Sequence, residues 1–433
     1  MTISRYGGDG HFLGVAGTGT GKTSALVFPT LLEDRRSVIV NDPKGTLYWA
    51  YNKAARAWVG TAGYRSTLGK VVALAPFEPY TDFYDPWASI RLGTDDEYGD
   101  AELLAHYLTN PEDKENLDET SRHFQNLANQ VVAGVFLYGL YSQLATTGAA
   151  FDALLAHTPW DDLLTVMAAC PHPLVQRAAG VARMPGDREL GSLKTTLANA
   201  LRIFADPRIA RFTSHSTFHL RDLREADAPC TVYVTIPFGQ GKRLRPLARL
   251  LYAQMLTYCT SHVAGWQQDL LAILEEFPSL GRFEFATDLL NYAREAGAQL
   301  MLITPSMEEL VDTYGPHHNF LEGCRVQAVF GLSDASVAKK FSSRVGTWTK
   351  TITRITRQAR GGRSVTEDTK ELDLLSPTAL LQLSEREVLI LAGRYKRVLQ
   401  QARYYEHPVW AARSLLPPPE RIPCTASCMA LLA

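Results

Sequence analysis

The sequence predicts an α/β fold, with a twisted, mostly parallel β-sheet and an inserted all-α domain. Two observations predict it. Short apolar runs alternate with helical segments in residues 12–74 and again in residues 230–392, which is the pattern of a parallel sheet with helices on both faces. Residues 100–204 instead carry apolar residues at helical spacing and contain no good strand. The predicted domains are an α/β domain in residues 1–90 and 205–415, an all-α domain in residues 91–204, and a Pro-rich flexible tail in residues 416–433.

The strands are predicted from short runs of apolar and β-branched residues. Both faces of a parallel sheet are covered by helices, so its strands read as continuous apolar runs and not as alternating ones. The predicted strands are residues 12–15, 37–41, 70–74, 230–236, 270–274, 299–303, 325–331 and 387–392.

The helices are predicted where apolar residues recur every three or four positions. Ser306 begins one of them, because Glu309 follows three residues later and completes a capping box. The other helices of the α/β part are residues 24–32, 47–59, 244–262 and 285–296. The helices of the all-α part are residues 101–108, 121–141, 160–169, 173–182 and 190–204.

A glycine-rich run, Ala-Gly-Thr-Gly-Thr-Gly-Lys-Thr at 16–23, joins the first strand to the first helix. This context is the one that a phosphate-binding P-loop requires. Glycines let the backbone aim its N–H groups at a phosphate chain, and the following helix adds its positive end. Lys22 is expected to reach the β- and γ-phosphates, and the Thr23 hydroxyl to bind Mg²⁺. The alternative, a Gly/Thr-rich turn without a ligand, is disfavoured by the Gly-Lys-Thr ending. The predicted nucleotide-binding residues are Gly17, Thr18, Gly19, Thr20, Gly21, Lys22 and Thr23.

Two carboxylates, Glu275 and Glu276, end the apolar run at residues 270–274. ATP hydrolysis needs one group that supports Mg²⁺ and one that orients the attacking water, and both usually lie at the end of a strand beside the P-loop. Glu276 is the predicted water-orienting residue and Glu275 the predicted metal support. The alternative is a strand that simply ends in solvated acids.

The motif Asp-Pro-Lys-Gly at 42–45 follows the strand at 37–41. Loops at the carboxyl ends of parallel strands face the ligand crevice, so Lys44 is a candidate to touch phosphate or to line a pore. A Pro-Lys-Gly turn without such a role is the alternative.

The overall charge gives no sign of nucleic-acid binding, because the 433-residue chain has a formal net charge of −1. Any contact with DNA must then come from a local basic patch or from a ring of subunits. Residues 335–365 form such a patch, since they contain no acid and eight bases, and their alternating threonines predict an extended segment or a hairpin. This segment is predicted to contact a nucleic-acid backbone or to supply an arginine, with Arg344 as the candidate, to a neighbouring subunit's ATP. An exposed basic loop is the alternative.

Together these motifs resemble the type IV secretion coupling proteins, the TraG-like ATPases that move DNA in bacterial conjugation. The resemblance spans nearly the whole chain, and the blocks Asp-Pro-Lys-Gly and Glu-Phe-Pro-Ser-Leu-Gly are the most specific. The matching residues are 11–13 with the P-loop, 28–32, 42–45, 275–282, 314–315 and 343–346.

The resemblance implies a RecA-like P-loop motor domain with an inserted all-α domain. It implies Mg²⁺-dependent ATP hydrolysis at subunit boundaries of a homo-hexamer, with a monomer as the alternative when the family's membrane anchor is missing. It also implies delivery of DNA, single-stranded by preference, with a relaxase, or of effector proteins, to a secretion channel. The expected place is the cytoplasmic face of the bacterial inner membrane. This sequence carries no run long and apolar enough to span a bilayer, so the chain itself is expected to be soluble.

Two residues depart from the family's motifs. Glu275 stands where an Asp is expected, and Pro305 stands where a Gln often senses the nucleotide. These changes leave ATP binding expected but bear on the rate of hydrolysis. The alternative function is therefore a substrate-docking relative that hydrolyses ATP weakly or not at all.

Overall fold

The computed structural model describes residues 8–420 except 18, 54, 111–118, 185, 264 and 358–362. Its centre is a nine-stranded sheet in the order β13-β12-β9-β1-β8-β7-β2-β6-β5. The strands of the described residues are β1 Phe12–Val15, β2 Ser37–Asn41, β3 Trp49–Asn52, β4 Ala57–Gly60, β5 Lys70–Leu74, β6 Cys230–Val234, β7 Leu270–Leu274, β8 Ala298–Thr304, β9 Val326–Phe330, β10 Thr347–Arg357, β11 Arg363–Asp373, β12 Glu387–Ala392 and β13 Tyr395–Gln400.

All neighbouring pairs from β9 to β5 in this order are parallel, and only β12 and β13 join antiparallel. Every residue of β1, β2, β6, β7 and β9 is buried, which explains why these strands read as unbroken apolar runs. The predicted mostly parallel α/β sheet is confirmed.

Helices cover the sheet and form a separate helical stretch between β5 and β6. They are α1 Phe28–Leu31, α2 Ala62–Ser66, α3 Glu97–Thr109, α4 Glu119–Ser142, α5 Gly148–His157, α6 Trp160–Ala169, α7 Pro173–Ala182, α8 Asp187–Leu201, α9 Pro207–Phe212, α10 Gly241–Thr260, α11 Glu284–Tyr292, α12 Met307–Tyr314, α13 Phe320–Gly323, α14 Ala335–Val345, α15 Pro377–Leu381 and α16 Pro408–Ser414. A π-helical turn, Thr23–Val27, precedes α1.

The helical stretch has an aromatic centre. The buried Trp87 ring contacts Phe136 of α4, Phe151 of α5 and Phe204, with ring centroids 5.0–5.5 Å apart. The sequence pattern did not indicate α5, but it placed α6 and α7 at their observed bounds. The stretch packs on the sheet layer through α3 and α10. The domain boundaries given from the sequence stay a prediction.

The helix expected at 47–59 is wrong, because this segment forms the hairpin of β3 and β4. Its aromatic residues favour strands. Tyr51 lies opposite Trp58 in the register, with ring centroids 6.1 Å apart, and Arg56 turns the chain with a φ of 51°. A cross-strand aromatic pair of this kind stabilises a hairpin directly.

The basic segment at 335–365 is divided between α14 and the ribbon of β10 and β11, so the expected hairpin is confirmed for its second half. Acidic residues of β11, among them Glu367, Glu371 and Asp373, lie in register with β10. The ribbon therefore carries mixed charge and not a uniformly basic surface.

The tip at 358–362 and the tail at 421–433 lie outside the described residues. Across the part of the chain that is described, no helix has the length and apolar character needed to cross a bilayer.

Candidate functional site

The predicted P-loop follows β1 at the centre of the sheet. The Ala16 N–H donates to the Thr304 carbonyl of β8 at 3.0 Å, which fixes the start of the loop beside the neighbouring strand. Gly19 and Gly21 have φ of +83° and +93°, values that L side chains rarely adopt. Gly17 takes an ordinary conformation, and Thr18 lies outside the described residues. The glycine spacing is thus explained by backbone turns at 19 and 21.

Lys22 meets the end of β7. Its Nζ is 2.8 Å from Glu276 Oε1, and the Lys44 Nζ is 3.1 Å from the same oxygen. Burial raises the pKa of Glu276, but the bonds from Lys22 and Lys44 outweigh burial and lower the pKa overall. Glu276 is therefore held as a carboxylate, the form that can accept a proton from water. The structure brings together the three residues that the sequence placed at this edge.

Glu276 has an unusual backbone conformation. Its φ of 52° and ψ of 45° are left-handed, which costs a non-glycine residue about 1 kcal/mol or more. The short 3-10 turn that follows, Phe277–Leu280, fixes it, because the Ser279 N–H donates to the Glu276 carbonyl at 2.8 Å. Strain of this kind is found at functional sites, where the surroundings over-determine a side chain's position.

Thr23 and Glu275 meet beside the lysine cluster, where the Thr23 hydroxyl donates to Glu275 Oε1. The second carboxylate oxygen, Oε2, is buried and has no partner among the described residues. Burial raises the pKa of Glu275 despite that hydrogen bond and the nearby Lys22. A hydroxyl and a carboxylate with a buried free oxygen are hard ligands of the kind that Mg²⁺ binds together with phosphate oxygens and water. The residues present therefore fit a magnesium ion.

Asn41, the last residue of β2, holds the backbone at Glu275. Its side-chain Nδ2 donates to the Glu275 carbonyl at 2.5 Å, and its Oδ1 accepts from the Tyr252 hydroxyl at 2.8 Å. Asp42 is fully buried, and its carboxylate accepts from the N–H groups of Thr46, Leu47 and Tyr48 at 2.9–3.0 Å. The Asp-Pro-Lys-Gly block is thus a rigid turn that aims Lys44 at Glu276.

Gln401, just beyond β13, was missed by the sequence reasoning. Its Nε2 donates to the Thr20 carbonyl of the P-loop at 3.1 Å. A Cβ added at Gly21 would lie 2.5 Å from Gln401 Oε1 and 3.5 Å from the Arg403 guanidinium. No local motif marks Gln401, and β13, which carries it to the P-loop, was not predicted.

Two further residues were singled out from the sequence, Arg344 and Pro305. Arg344, in α14, contacts Glu322 and the Leu321 carbonyl at 3.3 and 3.0 Å, so its described contacts are away from the P-loop. Its role toward a neighbouring subunit stays a prediction. Pro305 directly follows β8, whose Thr304 pairs with Val15 at the start of the P-loop, so it stands beside the site without a side-chain donor.

A model of one protein family, described as Type IV secretory system Conjugative DNA transfer, matches residues 4–421. The chain belongs to this family. It is 29% identical to the conjugal transfer protein TraG of Escherichia coli, over 96% of this chain and 70% of that protein. It is 26% identical to the protein VirD4 of Rhizobium radiobacter, over 91% of this chain and 57% of that protein.

Solved structures agree on the fold. The bacterial conjugative coupling protein TrwB superposes with a TM-score of 0.66 at 17% identity, over 92% of this chain and 87% of the TrwB chain. VirB4 of Thermoanaerobacter pseudethanolicus gives a TM-score of 0.55 at 11% identity. Other TrwB structures contain ADP with Mg²⁺ or a non-hydrolysable ATP analogue. The resemblance to type IV coupling proteins and the RecA-like P-loop fold with an inserted all-α domain, both stated from the sequence, are confirmed.

Proposed function

We propose that this protein binds ATP with Mg²⁺ and hydrolyses it to deliver DNA to a type IV secretion channel. The observation that supports this most strongly is the convergence of Lys22, Thr23, Glu275 and Glu276 at one edge of the sheet. The glycines at 17, 19 and 21 provide the loop for the phosphates. Membership in the conjugative DNA transfer family supports the assignment to DNA transfer.

In this proposal each residue has one role. The Lys22 ammonium binds the β- and γ-phosphates, and in doing so gives up its contact with Glu276. Glu276, still paired with Lys44, then accepts a hydrogen bond from the attacking water and orients it. Thr23 and Glu275 would hold Mg²⁺, which would supply positive charge to the phosphate oxygens. Arg344 of an adjacent subunit is the proposed source of a further positive charge.

The proposed partners rest on the relatives' names and on the family resemblance. One relative is named as a conjugal transfer protein and another as a type IV secretion system-coupling protein, which supports DNA and the channel components as partners. A relaxase or effector proteins are proposed from the resemblance of the sequence motifs alone. A homo-hexamer at the cytoplasmic face of the bacterial inner membrane is the proposed assembly, as the family resemblance implies. ATP sites shared between subunits would let Arg344 contact the nucleotide of a neighbouring subunit.

A second candidate is a docking relative that binds ATP but turns it over slowly. Two observations favour it. The longer Glu275 replaces the Asp usual for metal support, and Pro305 offers no side-chain hydrogen bond beside the P-loop. This candidate shares the nucleotide site with the first, so the two differ only in the chemical step.

Titration with a fluorescent ATP analogue, with and without Mg²⁺, tests the shared site. Lys22→Ala should weaken binding by roughly tenfold or more, because a hydrogen bond to a charged group contributes about 1.5–3 kcal/mol. Thr23→Ala should remove most of the Mg²⁺ dependence. Lys53→Ala removes an exposed lysine from the β3–β4 hairpin and serves as the control. Equal affinities for Lys22→Ala and the control would contradict the P-loop assignment.

A further inference from the structure

A cavity of about 200 Å³ lies at the carboxyl edge of the sheet, and no described residue of the P-loop lines it. It lies between the ends of β2 and β6, the start of α10 and the turn after Glu276. We call it the edge cavity. The residues of its wall that matter here are Asn41, Pro43, Gly241, Lys242, Arg245 and Ser279. Its volume exceeds the ~30 Å³ of one water several-fold but is below the ~300 Å³ at which small-molecule pockets begin. It therefore has room for a phosphate group with some water, and not for a whole nucleotide.

The charge around the edge cavity is positive. Lys242 is exposed and Arg245 half-buried, and among the described residues neither forms an ion pair with a carboxylate. Arg243, which follows Lys242 in α10, and Arg208 both pair with Asp206, at 2.8 and 3.1 Å. The wall of the edge cavity therefore has two cations that lack a carboxylate partner among the described residues, and a third cation, Arg243, adjoins them in sequence.

An aromatic ring lies beside Arg208 and Arg243. The Arg208 guanidinium lies 4.3 Å from the centre of the half-buried Phe77 ring, and that of Arg243 lies 6.0 Å away. A basic groove with an aromatic side chain is the combination by which proteins bind single strands, since phosphates contact the cations and bases stack on rings. In the ribbon of β10 and β11, by contrast, acids of β11 such as Glu367 and Glu371 lie in register with the basic strand β10 and offset its charge.

Hydrogen bonds connect the wall of the edge cavity to the candidate catalytic carboxylates, Glu275 and Glu276. The Arg245 Nε donates to the Ser279 carbonyl at 3.1 Å, and the Ser279 N–H holds the strained Glu276 at 2.8 Å. On the opposite wall, Asn41 bonds the Glu275 carbonyl, and Pro43 precedes the Lys44 that pairs with Glu276. An anion that attracts the Arg245 guanidinium competes with Ser279 and so acts on the turn that positions Glu276.

We propose that the edge cavity binds a backbone phosphate of single-stranded DNA and that this binding is transmitted to Glu276 through Arg245 and Ser279. The transmission rests on the proposed function, whereas the binding site does not. Arg245 is in this sense a positioning residue for hydrolysis, and Lys242 is a contact for the strand alone.

The experiment compares wild type with Lys242→Ala, Arg245→Gln and the control Lys53→Ala. Binding of a fluorescent 30-nucleotide oligothymidine is measured by anisotropy over a series of salt concentrations, and phosphate release is measured with and without that DNA. Lys242→Ala and Arg245→Gln should each weaken binding several-fold and reduce the slope of log affinity against log salt by about 0.7, the value for one lost single-strand contact. Arg245→Gln should also lose the stimulation of phosphate release by DNA. Lys53→Ala should match wild type.

The outcomes separate the inference from the proposed function. If DNA stimulates all four proteins equally and the salt slopes are the same, the edge cavity is not the site, while ATP hydrolysis stands. If Lys242→Ala reduces the salt slope but wild type releases no phosphate, the DNA site stands, and hydrolysis and transmission are contradicted.

A wild type that does not bind DNA overturns the inference, as does a Lys242→Ala variant that loses affinity for the fluorescent nucleotide instead of DNA. A duplex competitor that depends more on Lys242 than the single strand does would overturn the single-strand assignment.

Discussion

Alanine at Gly21 should destabilise the protein more than alanine at Gly19, although both glycines have positive φ. At Gly19, φ is +83° and no described atom lies within 4 Å of an added Cβ, so only backbone strain of about 1–2 kcal/mol is expected. At Gly21, φ is +93° and the added Cβ would lie 2.5 Å from Gln401 Oε1. Gln401 must then move.

The cost of moving Gln401 can be estimated from its contacts. Its Nε2 donates to the carbonyls of Thr20 and Glu387 at 3.1 and 3.2 Å, and each such bond contributes about 1 kcal/mol. Gly21→Ala should therefore lower the free energy of unfolding by about 3–4 kcal/mol, roughly 2 kcal/mol more than Gly19→Ala does.

Urea-induced unfolding, followed by far-ultraviolet circular dichroism, measures the difference. A double-mutant cycle with Gln401→Ala isolates the contact, because without the Gln401 side chain Gly21→Ala should cost no more than Gly19→Ala. Equal destabilisation by the two alanines in the wild-type background would refute the reasoning. So would a gap between them that persists in the Gln401→Ala background.

Two pH-dependent effects are also expected. Lys44→Met removes one of the two cations that lower the pKa of Glu276, so the pKa of Glu276 should rise. The acidic limb of the pH–rate profile for phosphate release should then move to higher pH, and an unmoved limb would contradict the role of Lys44. Burial raises the pKa of Asp85 to about 7, so the native protein retains a proton that the unfolded chain has lost above about pH 4. The stability from this group is thus complete below about pH 4 and is lost as the pH rises to 7, at up to about 1.4 kcal/mol per pH unit. Burial also raises the pKa of Asp42 to about 7. Asp85→Asn should therefore reduce, and not abolish, the decline in the free energy of unfolding between about pH 4 and 7. A decline as steep as in wild type would contradict the role of Asp85.

Much of the α/β layer was predictable because buried parallel strands leave a strong signal. The bounds of β1, β2, β5, β7 and β12 match the expected ones, since each is a short, mostly apolar run, and a polar residue or a glycine marks the end of β2, β7 and β12. The proximity of the P-loop to Glu275 and Glu276 was predictable for the same reason, because the carboxyl ends of neighbouring strands meet at one edge.

The parts of the fold that the sequence predicted wrongly or not at all, residues 47–59, β13 and Gln401, also have physical explanations. The segment 47–59 contains apolar residues at spacings that a helix also allows, but Tyr51 and Trp58 pair across a hairpin, and the Asp42 carboxylate occupies the N–H groups of Leu47 and Tyr48. β13 was missed because Tyr395–Gln400, at the sheet's edge, is neither a continuous apolar run nor a regular alternation: Lys396 and Arg397 are adjacent, as are Val398 and Leu399. Its neighbour Gln401 reaches the P-loop through tertiary contacts that no local pattern records.

Phosphate release by purified protein, with ATP and Mg²⁺ and with single-stranded DNA added, tests the central claim most directly. Glu276→Gln keeps the size of the side chain and a hydrogen-bond acceptor but removes the charge held between Lys22 and Lys44. The account predicts turnover by wild type that DNA increases, and a loss of about 100-fold or more in Glu276→Gln, the usual contribution of a general base, with nucleotide affinity retained. Turnover by Glu276→Gln equal to that of wild type would contradict the catalytic role of Glu276, and ATP binding without turnover in both proteins would favour the docking relative.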